Sequence, residues 1–343
     1  MYYLNEKSFK IIVFYKLSQN EMKIAIIGPI HEVGWEVLRS HGFDVINVEQ
    51  TDPSSLKKEL ADVTGVVLRT AKLPNDVLDT CPHLKIIARH GVGYDNVDLS
   101  YLNEKKIALG ITSTANAISV AEHVLTFFLQ LTKNIHLSDQ LTRRGKFNEK
   151  EQLPDFFEVY QKNVLILGYG RIGQAVAKRC LGFEMNVYVY DPFVEEAFIL
   201  NHGCKPIGKE EGLMLADYIS VHLPLNDQTR NFIAKKELVT LKPNCILVNT
   251  ARGGIINEID LVEVLKNNSI AGAGLDVFAE EPPLDNHPLF QLPNILLTPH
   301  NAALSLECRM RMAKEACETV VFYIQNQSKL NLDNIVNRKI LNL

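Results

Sequence analysis

Cysteine is scarce and scattered in this sequence. The chain has six cysteines among 343 residues, and the two closest, Cys308 and Cys317, are nine residues apart. No C-x-x-C motif occurs, so the spacing fits neither a zinc site nor a disulfide framework. We therefore expect no bound metal, and we expect reduced, mostly buried thiols in a cytoplasmic protein.

Long apolar runs and an excess of charge of one sign are also missing. No run approaches the ~20 apolar residues that a membrane-spanning helix needs. The N-terminal run Ile11–Tyr15 is shorter than the roughly 7–15-residue core of a signal peptide. The formal net charge of −4 is too small to favour binding to nucleic acid or to anionic lipid. We expect neither kind of partner.

The length and composition are those of a globular protein. Apolar residues make up 46% and charged residues 22% of the chain, proportions that exclude a disordered or collagen-like protein. A length of 343 residues predicts two domains. The segment Met22–Gly28 is typical of the first strand of an α/β protein, so residues 1–21 are predicted to be an N-terminal extension.

Short β-branched runs alternate with helical stretches from Met22 onward. This alternation predicts an α/β fold with parallel sheets covered by helices on both faces. A mostly apolar helical stretch, Ile118–Ile135, divides the runs into two groups, and another, Leu304–Ile324, follows the last run. The predicted strands are Ile24–Ile27, Val45–Val48, Val66–Leu68, Ile86–Ala88, Val164–Leu167, Val187–Tyr190, Ile219–Val221, Ile246–Val248, Ala271–Leu275 and Ile295–Leu297.

The strongest motif is a G-x-G-x-x-G formed by Gly168, Gly170 and Gly173. It directly follows a predicted strand and opens a predicted helix. In this context the glycines permit a tight turn and a close approach of the backbone to a pyrophosphate. The first helical residues, Arg171 and Ile172, lie where free N–H groups would face that anion. The motif predicts a Rossmann dinucleotide-binding site.

The cofactor preference is predicted from the end of the next strand. Asp191 lies eighteen residues after Gly173, where an acid can bind the adenosine ribose hydroxyls. Its charge would repel a 2′-phosphate, and Pro192–Glu196 offer no cation for that phosphate. We therefore expect NAD rather than NADP. The alternative is that Asp191 only caps the following turn.

Polar side chains follow four successive predicted strands of the second group. In strand order they are His222, then Arg252, then Asp276 with Glu281, and finally His300. Because ligands of open α/β sheets bind outside the carboxyl ends of the strands, we expect these residues along one edge. His222 is expected to line the adenine pocket rather than to transfer a proton.

Three of these side chains form a set that can reduce a 2-keto acid. Arg252 can bind a carboxylate through two hydrogen bonds and polarise the adjacent carbonyl. His300 can pass a proton to the developing alkoxide, and Glu281 would favour the protonated imidazole. With a nicotinamide as the hydride carrier, this set predicts an oxidoreductase.

Five stretches occur together in one order: Leu167–Gly173, Val221–Leu225, Val248–Gly254, Gly274–Pro282 and Thr298–His300. In them, and over nearly all of residues 22–330, the sequence resembles the D-isomer-specific 2-hydroxyacid dehydrogenases. The resemblance implies that His300 is the catalytic acid/base, that Glu281 is its partner and that Asp276 holds the nicotinamide carboxamide. The implied cofactor-binding residues are Gly168, Gly170, Arg171, Ile172, Gly173, Asp191, His222, Pro224, Thr229, Thr250 and Asp276. The implied substrate-binding residues are Arg69, Gly91, Val92, Gly93, Arg252 and His300.

The resemblance also implies the architecture and the assembly. It implies two doubly wound parallel-sheet domains, with a Rossmann NAD domain inserted into a flavodoxin-like substrate domain. The NAD domain would span residues 119–300, and the substrate domain residues 22–118 and 301–343. Members of the family usually form homodimers that pair through the NAD domain and the helix near Ser119–Ile135.

The resemblance leaves the substrate open. Leu68–Lys72 and Gly91–Asp98 are similar to phosphoglycerate dehydrogenases, in which the arginine matching Arg69 helps to hold the phosphate. Asn301–Ser305 departs from those enzymes, so hydroxypyruvate and glyoxylate reductases remain alternatives. The resemblance disfavours formate dehydrogenases, because those enzymes carry Gln at the position of Glu281. An alternative of another class is an NAD(H)-sensing corepressor-like binding protein of the same fold.

Overall fold

The structure, a computed structural model, describes residues 22–343. The predicted N-terminal extension, residues 1–21, lies outside the described residues. The described residues form two compact units. The first, called the split unit below, comprises residues 22–116 and Leu306–Leu343. The second, called the inserted unit, is Ala117–Ser305.

The split unit contains a five-stranded sheet in the order β2-β1-β3-β4-β5, with every neighbouring pair parallel. This is the flavodoxin-like order, as predicted. Its strands are β1 (Lys23–Ile27), β2 (Asp44–Val48), β3 (Val63–Leu68), β4 (Ile86–Arg89) and β5 (Ala108–Gly110). Its helices are α1 (Glu32–Ser40), α2 (Pro53–Glu59), α3 (Asn75–Leu78), α4 (Leu99–Lys105) and, at the other end of the chain, Leu306–Gln325, with 3-10 turns at Gln327–Lys329 and Leu332–Asn334.

The inserted unit contains a seven-stranded parallel sheet in the order β12-β11-β10-β9-β6-β7-β8, a Rossmann arrangement with one further strand. Its strands are β6 (Asn163–Leu167), β7 (Asn186–Tyr190), β8 (Lys205–Pro206), β9 (Tyr218–Val221), β10 (Ile246–Asn249), β11 (Gly272–Leu275) and β12 (Ile295–Leu297). Its helices are α5 (Ala117–Lys133), α6 (Ile135–Arg143), α7 (Arg171–Gly182), α8 (Glu196–Asn201), α9 (Lys209–Leu215), α10 (Lys235–Leu238) and α11 (Glu258–Lys266), with 3-10 turns at Phe147–Gln152 and Pro288–Gln291. Leu306–Gln325 of the split unit is therefore α12.

All ten predicted strands are present, and two short strands, β5 and β8, were not predicted. The prediction of one helical stretch over Ile118–Ile135 was wrong at its end. The structure has two helices there, because Asn134 adopts a left-handed conformation with φ 47° between them. The C-terminal helical stretch is confirmed as α12.

The strands are buried because helices cover both faces of each sheet. Every residue of β3, β9, β10 and β11 is buried, which explains their continuous apolar sequences. All six cysteines are free and buried, as predicted. Within residues 22–343, none of the helices has the length and apolar character needed to cross a membrane. The carboxyl ends of β6, β9, β10, β11 and β12 share one edge of the inserted unit's sheet.

Candidate active site

The glycine-rich turn follows β6 and precedes α7. Gly168 has φ +95°, and a Cβ there would lie 2.8 Å from the His222 carbonyl oxygen. A Cβ on Gly173 would lie 2.1 Å from the Gly168 carbonyl oxygen. Both positions therefore require glycine. A Cβ on Gly170, the N-cap of α7, would meet no atom within 4 Å, so this side of the helix N-terminus is open to an anion.

Asp191 lies directly after β7 and contacts the glycine-rich turn. One carboxylate oxygen accepts the Tyr169 N–H at 2.8 Å, and the other accepts the Phe193 N–H at 2.9 Å. The carboxylate therefore does cap the following turn, and it also lies beside the pyrophosphate turn. This is the place at which a ribose ligand is expected.

His222 follows β9 and is a neutral side chain. Burial lowers its pKa to about 3, and its Nε2 lies 2.7 Å from Ser220 Oγ. A histidine that stays neutral at physiological pH is not suited to be the proton donor, and the place of His222 in an adenine pocket stays a prediction. Its Nδ1 and the Oγ1 of Thr250 are buried without a hydrogen-bond partner among the described residues.

Thr229 closes the loop that follows His222. Its Oγ1 accepts the Asn226 N–H at 2.8 Å and donates to the Pro224 carbonyl oxygen. The predicted contacts of Pro224 and Thr229 with the cofactor stay predictions. Together, the open glycine turn, the adjacent carboxylate and the two unpartnered polar atoms fit a dinucleotide along this edge.

Arg252 lies in the loop after β10, and Asn249 positions that loop. Asn249, the buried last residue of the strand, donates from Nδ2 to the Arg252 carbonyl oxygen at 2.9 Å. Its Oδ1 accepts the Ala251 N–H at 3.0 Å. The guanidinium of Arg252 donates to the Ala251 carbonyl oxygen at 2.7 Å. Asn249 was not among the predicted site residues, although a polar residue at the end of an apolar strand indicates a positioning role.

Glu281 and His300 are in direct contact. Glu281 Oε2 lies 2.7 Å from His300 Nδ1, and its Oε1 accepts the Phe278 N–H at 3.0 Å. The bond at Nδ1 leaves Nε2 for proton transfer to a substrate. The His300 side chain is 51% exposed, so its imidazole is accessible at the sheet edge. The backbone of His300 is left-handed, with φ 50°.

Asp276 is buried and accepts hydrogen bonds from the loop that contains His300. Its oxygens accept the N–H groups of Asn301 and Ala302 at 2.8 and 3.0 Å and the hydroxyl of Thr298. His123 Nε2 lies 3.0 Å from that same hydroxyl oxygen. The observed contacts stabilise the His300 loop, and the predicted bond to a nicotinamide carboxamide stays a prediction.

Gly253 connects the arginine loop with the loop that carries Glu281. A Cβ on Gly253 would lie 1.8 Å from the Phe278 carbonyl oxygen and 2.5 Å from the Ala279 nitrogen. The backbone next to Arg252 is therefore packed directly on the peptide between Phe278 and Ala279. The two loops can adopt their observed positions only when residue 253 has no side chain.

Gly253→Ala is expected to displace the Phe278–Ala279 peptide and with it Glu281. We expect kcat of a reaction that uses His300 as its acid/base to fall about 100-fold, because small displacements of positioning groups have effects of that size. Gly182→Ala is the control, since a Cβ there would meet nothing within 4 Å. Equal kcat values for the two variants in steady-state assays would show that packing at Gly253 does not position Glu281.

The remaining predicted substrate residues lie in the split unit, at the carboxyl ends of β3 and β4. Arg69 donates to the Pro29 carbonyl oxygen at 3.2 Å. Arg89 donates to the carbonyl oxygens of Gly93 and Leu68, both at 2.8 Å, and so stabilises the loop that contains Gly91, Val92 and Gly93. Burial, with a further effect of the Arg69 charge, lowers the pKa of the adjacent His90 to about 4.

Known proteins match both the sequence and the fold. Residues 125–302 match the family model described as D-isomer specific 2-hydroxyacid dehydrogenase, NAD binding domain. A D-3-phosphoglycerate dehydrogenase of Archaeoglobus fulgidus is 34% identical over 92% of this chain and 59% of its own length. A glyoxylate reductase of Korarchaeum cryptofilum is 34% identical over 91% of this chain and 96% of its own.

A solved structure extends the comparison to the fold. The NADPH-dependent glyoxylate/hydroxypyruvate reductase of Sinorhizobium meliloti, in complex with citrate, superposes with a TM-score of 0.80 at 28% identity. The match covers 89% of this chain and 95% of that one. The chain therefore belongs to the D-isomer specific 2-hydroxyacid dehydrogenase family, and residues 125–302 are of its NAD-binding domain type. It spans about 60% of the length of the phosphoglycerate dehydrogenases that it matches.

Proposed function

We propose that the protein is an NAD-dependent oxidoreductase that interconverts a 2-keto acid and a D-2-hydroxy acid. The observation that carries this proposal is the 2.7 Å contact between Glu281 and His300. It lies on the sheet edge that also carries the glycine turn and the Arg252 loop. The names of the relatives support the same reaction class.

The three side chains have separate roles in the proposed reaction. A bound nicotinamide supplies the hydride in one direction and accepts it in the other. Arg252 binds the substrate carboxylate and polarises the carbonyl. His300 donates a proton from Nε2 to the carbonyl oxygen during reduction and accepts it back during oxidation. The Glu281 carboxylate orients the imidazole through Nδ1 and stabilises its protonated form.

The proposed substrates are of the phosphohydroxypyruvate/3-phosphoglycerate or the hydroxypyruvate/glyoxylate type. Arg69 supports the phosphorylated type, because a guanidinium suits a phosphate. This guanidinium follows the end of β3 and donates to the Pro29 carbonyl oxygen after β1. The backbone of Gly91–Gly93 is proposed to bind the substrate carboxylate. The name of the glyoxylate reductase that matches over 96% of its length supports the other type.

A panel of keto acids tests the proposed function. Phosphohydroxypyruvate, hydroxypyruvate, glyoxylate and pyruvate would each be assayed with NADH and with NADPH. We expect turnover with NADH to exceed that with NADPH, because the Asp191 carboxylate repels a 2′-phosphate. For a phosphorylated substrate, Arg69→Ala should raise KM at least about tenfold, the effect of losing one hydrogen bond to a charged group.

Two results of the panel would change the conclusion. An unchanged KM in Arg69→Ala would favour the unphosphorylated substrates. NADH binding without turnover of any keto acid would reject the proposed enzymatic function and favour the alternative, an NAD(H)-sensing corepressor-like binding protein.

We further propose the domain roles, the assembly and the location. The inserted unit would be the NAD domain, and the split unit the substrate domain. A homodimer is supported by large apolar side chains that are exposed on and after α5, namely Ile118, Ile135, Phe147, Phe156 and Phe157. A cytoplasmic location is supported by six cysteines that are all free.

A further inference from the structure

We propose that Glu258 and His287 form a positioning pair that holds Glu281 against His300. Neither residue belongs to a motif noted in the sequence. The inference rests on the proposed function, because it concerns the acid/base of that reaction. It names residues that act through Glu281 and do not themselves contact the substrate.

Glu258, the first residue of α11, contacts two other segments. Its Oε1 accepts the Ala279 N–H at 2.6 Å, and its Oε2 lies 3.1 Å from His287 Nε2. The side chains of Glu258 and His287 are only 12% and 18% exposed. A carboxylate that is this buried needs both partners, because an unpartnered buried charge is strongly destabilising.

The contacts of His287 fix the direction in which it donates. Its Nδ1 accepts the Leu289 N–H at 3.4 Å, so Nε2 carries the proton and donates to Glu258. Its ring also packs edge-on against Phe278, with ring centroids 6.1 Å apart, and in a tilted arrangement against Phe290 at 5.6 Å. The pair is therefore anchored on the 3-10 turn Pro288–Gln291 as well as on α11.

The Phe278–Ala279 peptide transmits this anchoring to the acid/base. The Glu258 carboxylate accepts the N–H of this peptide, which belongs to Ala279, and Gly253 packs against the carbonyl group of this peptide, which belongs to Phe278. The N–H of Phe278 donates to Glu281, the partner of His300. Glu281 and His300 are 36% and 51% exposed, and an ion pair so exposed contributes little to its own geometry. The buried pair behind them supplies the fixed geometry.

The test compares Glu258→Ala with Glu263→Ala as the matched control. Glu263 is on the same helix, but its carboxylate pairs with Lys235 at the surface. In Glu258→Ala we expect kcat for keto-acid reduction to fall about 10–100-fold, with KM for NADH within about twofold of wild type. Glu258→Gln and His287→Gln keep an acceptor and a donor respectively, so both should recover much of the lost rate.

Two further readouts separate positioning from a purely structural role. The ¹⁵N NMR chemical shift of His300 Nδ1 reports the contact of this atom with Glu281, and it should change in Glu258→Ala but not in Glu263→Ala. Glu281→Gln should also change it. Because the pair acts through Glu281, Glu258→Ala combined with Glu281→Gln should be no slower than Glu281→Gln alone.

The outcomes distinguish this inference from the proposed function. A lower Tm in Glu258→Ala with a wild-type kcat and a wild-type Nδ1 shift, or additive effects in the double variant, would overturn the positioning role. If Glu258→Ala does not fold, His287→Ala decides, because it removes the donor to the Glu258 carboxylate; a wild-type kcat and a wild-type Nδ1 shift in that variant reject the positioning role. Absence of turnover in the wild type and in Glu263→Ala would reject the proposed function, while the Nδ1 chemical shift of His300 would still decide the positioning role.

Discussion

His300→Asn is expected to lower kcat for keto-acid reduction by about 10²–10⁴-fold, the usual contribution of a positioned acid/base. The asparagine amide can replace Nδ1 in the contact with Glu281, but it has no ionisable group where Nε2 was, so it cannot supply the proton. NADH binding, measured by fluorescence, should stay close to wild type, because His300 lies outside the glycine turn. His202→Asn is the control, since His202 is exposed and bonds to the Phe198 carbonyl oxygen.

The pH dependence gives an independent check of His300. Reduction requires the protonated imidazole, so its rate should fall as the pH rises. Oxidation requires the neutral imidazole, so its rate should fall as the pH is lowered. Identical pH profiles in the two directions, or a kcat of His300→Asn within about threefold of wild type, would refute the acid/base role.

Arg252→Ala is the second large effect that we expect. Removing the guanidinium should lower kcat/KM for the keto acid by about 10²–10³-fold, because a charged two-point contact with the substrate carboxylate is lost. The affinity for NADH should change little. Arg252→Lys should recover only part of the loss, since an ammonium retains the charge but not the paired hydrogen bonds.

The control for the arginine variant is Arg39→Ala, which removes a surface ion pair with Glu32. It should leave kcat/KM unchanged. If Arg252→Ala raised KM for NADH as much as KM for the keto acid, the residue would be a cofactor ligand or a structural group. Such a result would show that Arg252 does not bind the substrate carboxylate.

The Rossmann part of the fold could be predicted well, and the reason is local. The strand before Gly168, the turn itself and the helix after it are adjacent in the chain, so backbone sterics and apolar periodicity largely determine them. The strand β8 escaped prediction because two residues are too few for a hydrophobic pattern. The strand β5 has three residues and none of them is β-branched. The break at Asn134 escaped because one left-handed residue hardly changes the apolar pattern around it.

The sequence by itself determined which residue types end the strands, and therefore that Arg252, Glu281 and His300 are candidates on one sheet edge. Only the tertiary structure decided how the loops between them pack. The contact of Gly253 with the Phe278 peptide and the support of that peptide by Glu258 join segments more than twenty residues apart. Such contacts depend on the path of each loop after it leaves its strand, which side-chain packing and hydrogen bonding set in three dimensions.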